Sequence, residues 1–211
     1  MPNWCNNTVE IYHDDPKMLE RVRSAFNGEG LLQEFIPVPK ELSDTVSGSF
    51  GDTDEQAKLL EKTKANIEKY GYGNWYDFCV NEWGTKWEIG ADGNPAQDIP
   101  GGLMLGFDSA WAPPTAAYEK LCAMGFKIKA YYSEPGMCFA GIWEGDEDGV
   151  NDDYYEYSDM SSEEVANTLP TELDEAFCIS EQMAEYEEEN LEIDLDEGMS
   201  AVNEQEQNEN K

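Results

Sequence analysis

A single histidine, His13, bounds the acid–base chemistry open to this chain. It stands beside Asp14 and Asp15 at a strand-to-helix junction, where a lone imidazole is more often a turn residue than a general base. A serine or cysteine nucleophile would need a histidine near it in space, and the chain contains neither a GxSxG elbow nor a phosphate-binding GxxxxGK[ST] loop. Carboxylates pose the opposite problem. With 46 Asp and Glu among 211 residues, two at catalytic spacing occur somewhere by chance, so a pair carries no weight of its own. Asp146-Glu147-Asp148-Gly149 and Asp194-Leu195-Asp196-Glu197-Gly198 resemble calcium loops, but neither has the alternating ligands and closing glutamate of an EF-hand. Gly71 and Gly73 follow no strand and make no dinucleotide fingerprint. The five cysteines (Cys5, Cys79, Cys122, Cys138, Cys178) are odd in number and scattered, which suits reduced thiols better than disulfides or zinc. No catalytic residue, metal site or cofactor is assigned. A non-enzymatic role is the expectation, with an enzyme of unnamed substrate left as an alternative.

Charge is more informative. The formal net charge is −33, and such a chain repels nucleic-acid phosphate and anionic membrane while attracting basic surfaces, including those by which other proteins hold DNA. From Glu144 to Lys211 there are about 25 acidic residues and one basic, roughly −24, which leaves about −9 on Met1–Trp143. The composition shift at Glu144–Gly149 marks a boundary: a core over 1–145, an acidic helical appendage over 146–197 and a polar, disordered tail over 198–211. In the appendage, Glu172, Asp174, Glu175, Glu181, Glu185, Glu187, Glu188 and Glu189 fall on one expected helix. Over about 27 Å of axis they reach roughly half the charge density of duplex DNA. The expected role is an interaction protein in which the core is a scaffold and the acidic appendage the working surface toward a host or phage protein with a basic surface; in its sharper form the acids imitate a DNA backbone. The bland alternative is a solvated tail that keeps the chain soluble.

The elements that must carry these groups follow from periodicity. Asn7–Tyr12 alternates as a strand, and Asp14 or Asp15 caps a helix with Pro16 in its first turn, ending at Asn27-Gly28. Leu31–Leu42 is broken by proline and reads as extended; Glu55–Tyr70 reads as an exposed helix. Asn74–Ile89 packs three tryptophans, a tyrosine and a phenylalanine into a helix capped by Asn74 and ended by Gly84, then a strand from Thr85 to Ile89. Ala91–Gly102 is a turn, Leu103–Phe107 a strand, and Pro113-Pro114 opens a helix that Gly125 stops. Phe126–Tyr132 and Met137–Trp143 form a hairpin about Pro135-Gly136. Ser161 and Glu164 make a capping box in the appendage. With a helical insertion at about 53–83 removed, the order is βαββαβ plus an extra hairpin strand. That is an α+β, ferredoxin-like antiparallel sheet with helices on one face.

Several segments also resemble a known family. Met1-Pro2-Asn3-Trp4-Cys5-Asn6-Asn7, Trp75–Cys79 with Trp83-Gly84-Thr85-Lys86-Trp87, Phe107–Pro114 and Tyr132–Gly136 are similar, in the same order, to the YubB-type ferredoxin-like family of phage and conjugative-plasmid proteins. The resemblance covers Met1 to about Trp143 and implies the same fold and a mobile-element origin. It implies no catalytic residue, and the acidic third lies outside it.

A second function class uses the sheet itself. Ferredoxin-like sheets can stack ligands or nucleotides on exposed aromatics, and Trp87, Tyr131, Tyr132 and Trp143 are the candidates here. The discriminator is whether two or more of these rings share one solvent-facing surface. The N-terminus lacks a basic n-region and an apolar h-region, and no run approaches the roughly 20 apolar residues of a membrane span. The expected location is the cytoplasm of a bacterial host, with no membrane partner and the oligomeric state open.

Overall fold

The computed structural model describes residues 3–51 and 53–190. Six strands form one sheet in the order β2-β3-β1-β4-β5-β6: β1 Trp4–Tyr12, β2 Gln97–Ile99, β3 Gly102–Ala110, β4 Lys127–Glu134, β5 Phe139–Asp146 and β6 Gly149–Glu156. β1 lies between β3 and β4 and is antiparallel to both. With β2 outside β3, the first four strands have the ferredoxin-like arrangement, and β5 and β6 extend it.

Alternation along β1 explains why one face is core. Cys5, Asn7, Val9 and Ile11 are buried, and their register partners on β3 are Ser109, Phe107, Leu105 and Leu103. Helix α1, Pro16–Phe26, covers that face with Val22 and Phe26; Asp15 caps it by accepting the Lys17 amide at 2.9 Å. Helices α2 to α5 (Leu31–Phe35, Lys40–Ser43, Asp54–Tyr70, Trp75–Glu82) follow before β2, and α6, Thr115–Cys122, buries Ala117, Tyr118, Leu121 and Cys122. The opposite face carries Asn6, Thr8, Glu10 and Tyr12, with Lys129 and Tyr131 of β4 beside them.

Three local expectations are corrected. Thr85–Ile89 is not a strand, because its alternating polar side chains tie down a loop. Thr85 Oγ1 donates to the Ala110 carbonyl at 3.2 Å and accepts the Ala110 amide at 3.1 Å, while Glu88 accepts amides of α2. The second strand of the motif is instead Gln97–Ile99, inside the stretch that composition assigns to a turn. Leu31–Leu42 is not extended either; Pro37 and Pro39 fall between two short helices, with Pro39 at the N-cap of α3. Trp83 holds that link by donating its indole N–H to the Ile36 carbonyl at 2.9 Å.

The chain divides into two compact units, Met1–Tyr154 and one beginning at Tyr155. The second unit contains α7, Ser162–Thr168, entered through the capping box of Ser161 and Glu164, and α8, Thr171–Phe177. Cys178 then takes a left-handed conformation (φ 52°) and residues 179–190 are helical again. The single acidic helix expected across Glu172–Glu189 is therefore two helices. Tyr157, Val165, Leu169, Leu173 and Ile179 are buried. The expected end of the appendage at 191–197, the calcium-like stretch beginning at Asp194 and the tail at 198–211 lie outside the described residues.

Candidate functional site

The eight acids singled out from sequence all lie in the second unit, on both sides of the break at Cys178. Glu172, Glu175, Glu181, Glu185, Glu188 and Glu189 are exposed, whereas Asp174 and Glu187 are half-buried. Those two have internal work: Ser180 donates its amide to Asp174 at 2.8 Å, and Ser162 donates its hydroxyl and amide to Glu187 at 2.7 and 2.9 Å. The Ser162 hydroxyl, then its amide, holds the Glu187 carboxyl below the ordinary carboxylate range. What remains outward is a stripe. Glu181, Glu185 and Glu188 fall at i, i+4 and i+7 on helix 179–190, one carboxylate every 5 Å or so of axis. Residues 155–190 contain twelve Asp and Glu and no Lys, Arg or His.

The four aromatics proposed for a ligand face are split up. Tyr132 and Trp143 are buried in the helix-covered core at 1% and 2% exposure. Tyr118 packs on Trp143, and Tyr132 donates to Asp152 at 2.7 Å. Tyr131 is on the opposite sheet face, with the Lys129 ammonium 5.0 Å from its ring. Trp87 lies in the Thr85–Ile89 loop rather than on the sheet. Below Tyr131, a groove of about 730 Å³ runs between Tyr12, Lys127, Glu144, Asp146 and Val150. Within it Lys129 pairs with Glu144 at 3.3 Å, and the Tyr12 hydroxyl donates to Glu10 at 2.6 Å.

Trp87 has other company, missed in the sequence. Its ring centroid is 5.7 Å from that of Trp4. The Lys86 ammonium lies 4.6 Å from the Trp87 ring, 5.3 Å from Trp111 and 5.8 Å from Tyr76. Trp4, Trp87 and Trp111 are 45%, 38% and 43% exposed, unusual for indoles gathered together. All three lie in the aromatic motifs, so the types were visible; their convergence was not.

His13 is structural. Its Nδ1 accepts the Asp15 amide at 2.9 Å, its Nε2 faces the Met124 carbonyl at 3.3 Å, and its ring stands edge-on to Phe126. Accepting at Nδ1 places the proton of the neutral ring on Nε2. Burial pushes the thiols of Cys5 and Cys79 up to about 12 and that of Cys122 to about 11, away from nucleophilic use. Among the described residues, no three His, Cys, Asp or Glu side chains converge as metal ligands would.

The family model for the ferredoxin-like domain in Api92-like protein matches residues 82–210. The chain belongs to that family. The match runs well past Trp143, so in this Api92-like chain the family relation takes in the acidic third that the YubB-type resemblance left out. A crystal structure of protein api92 from Yersinia pseudotuberculosis is similar at TM-score 0.44 and 12% identity, over 75% of this chain and 99% of that one. No curated protein matches the chain.

Proposed function

We propose that this Api92-like protein acts by binding another protein, with its second unit imitating a nucleic-acid backbone toward a basic cleft. The observation that carries this reading is the exposed stripe Glu181, Glu185 and Glu188, in a stretch, residues 155–190, that contains no Lys, Arg or His. A single DNA strand presents one phosphate per about 3.4 Å of axis. A carboxylate every 5 Å or so on a rigid helix is sparser, but it lies within the reach of the same lysine and arginine side chains. The acids would also steer encounter with a basic partner, in a salt-dependent way.

The likeness of Met1–Trp143 to YubB-type proteins of phages and conjugative plasmids supports a mobile-element setting. There, a host nuclease or defence protein with a DNA-binding surface is the fitting partner, met in the bacterial cytoplasm. No helix among the described residues is long and apolar enough to cross a membrane. The test is capture from host lysate on the full chain, with competition by duplex DNA. A retained nucleic-acid-binding protein that DNA displaces, that rising salt releases steeply, and that Glu181, Glu185 and Glu188 changed together to Gln no longer hold would support the reading. Retention indifferent to DNA and to those three substitutions would sink it.

A further inference from the structure

The Lys86 cluster is the remaining group whose arrangement the acidic surface does not use. We infer that Lys86, Trp87 and Trp111 form a binding site for a free nucleotide. The base would lie on the exposed indole faces, and its phosphate would take the Lys86 ammonium.

Charge and shape together point to that ligand. Lys86 makes no ion pair with a carboxylate among the described residues, in a chain whose net charge is −33. Its ammonium instead rests over the π faces of Trp87, Trp111 and Tyr76. Cation–π contact at an exposed site is a weak interaction for an ammonium. A phosphate offers a stronger, charge-assisted one. When the ammonium turns to a phosphate, the ring faces it leaves are flat, apolar and half-exposed, which is what a base stacks on. A ligand that is only cationic is repelled by Lys86, and one that is only apolar leaves that charge unused. A planar ring joined to an anion satisfies both.

The site is built, not a chance meeting of loose side chains. Three chain segments that carry the rings are fastened by backbone and buried side-chain bonds. Trp111 donates its amide to the Asn3 carbonyl at 3.0 Å, beside Trp4. Thr85, 1% exposed, bonds Ala110 in both directions. Ala117 of α6 donates to the Trp83 carbonyl at 3.1 Å, and Gly84 (φ 84°) lets the loop approach the Thr115 amide, where any Cβ would be tightly pressed. Trp111 itself has a φ of 67°, a conformation that a bulky side chain adopts at a cost and that turns its indole toward Lys86. Trp4 packs against Trp87, the two rings tilted 39° to each other.

The test is tryptophan fluorescence of the full chain titrated with adenosine 5′-monophosphate, with adenosine, inorganic phosphate and a short oligothymidylate in parallel. Saturable quenching by the mononucleotide is expected, with adenosine about tenfold weaker and phosphate alone causing none. Lys86→Gln should weaken the mononucleotide about tenfold and leave adenosine unchanged, while Trp87→Ala should weaken both. Lys127→Gln, on another face, should change neither, and circular dichroism should show each variant folded. The oligonucleotide should bind less well than the mononucleotide, because the net charge of −33 opposes a longer polyanion. No saturable quenching at about 5 mM mononucleotide, or indifference to Lys86→Gln, overturns the site. Tighter binding by the oligonucleotide overturns the assignment to a free nucleotide.

Discussion

Glu88 accepts the backbone amide of Leu32 at 2.5 Å, across 56 residues of chain. Its other oxygen accepts the Gln33 amide at 2.6 Å, so one side chain caps the start of α2 from the loop that follows α5. Glu88 is itself largely withdrawn from water, and burial raises its pKa, against the lowering effect of those amides.

Glu88→Ala should therefore cost about 1–3 kcal/mol, because two amides at a partly buried helix start lose their acceptor. Urea unfolding measures it. The pH dependence has a definite sign. A raised carboxyl pKa means the folded chain keeps the Glu88 proton where the unfolded chain has lost it. Its contribution is greatest below the ordinary value of 4.5 and declines as pH rises through the raised one. Glu88→Gln should flatten that part of the profile, and an unchanged slope would contradict this origin.

Gly30 sits directly against the same carboxylate. A Cβ there would overlap the Glu88 side chain, and the φ of 128° is one that L side chains rarely adopt. Gly30→Ala should destabilise by more than about 1 kcal/mol, and in the Glu88→Ala background by less, since the overlap is gone and only backbone strain remains. Equal losses in both backgrounds would place the whole effect in the backbone.

Local chemistry made much of this fold readable in the sequence. Asp15 before Pro16, Asn74, and Ser161 with Glu164 are caps whose side chains act within three residues, and each is found in place. Alternation in β1 and the hairpin of β4 and β5 is likewise local. What was hidden depends on partners far along the chain. Gln97–Ile99 is a three-residue edge strand defined only by pairing with β3. Thr85–Ile89 has a strand's alternation, but its polar side chains are taken by Ala110, Leu32 and Gln33. The break at Cys178 lacks the glycine or asparagine that usually marks a left-handed residue. The meeting of Trp4, Trp87 and Trp111 depends on three separate segments and on the φ of Trp111. The acidic residues, by contrast, are visible by type alone, while their division between two helices and the internal bonds of Asp174 and Glu187 needed coordinates.

The cysteines separate into two reactivity groups. Cys5, Cys79 and Cys122 are buried, with thiols held at about 12, 12 and 11 by that burial, while Cys138 is half-buried and Cys178 exposed. A thiol reagent at neutral pH should label Cys178 and Cys138 in the folded protein and reach the other three only on unfolding. Cys138→Ser with Cys178→Ser should abolish the fast phase. A third fast thiol would show that the core opens locally.

Within the second unit, Ser162 and Glu187 join the start of α7 to the helix over 179–190. The Ser162 donors lower the Glu187 pKa, so this link stabilises above the ordinary carboxylate value and is lost as pH falls through the depressed one. Ser162→Ala removes the hydroxyl donor and leaves the amide, so the Glu187 pKa should move up toward 4.5 but not reach it. Carboxyl-detected NMR titration reads the shift at a single residue. The same substitution should leave Glu164 unmoved, because that carboxylate is held by Ser161 through its amide and hydroxyl. A shift at Glu164 of the same size would mean that α7 itself had loosened, and that the Ser162 hydroxyl serves the helix start more than the link to Glu187.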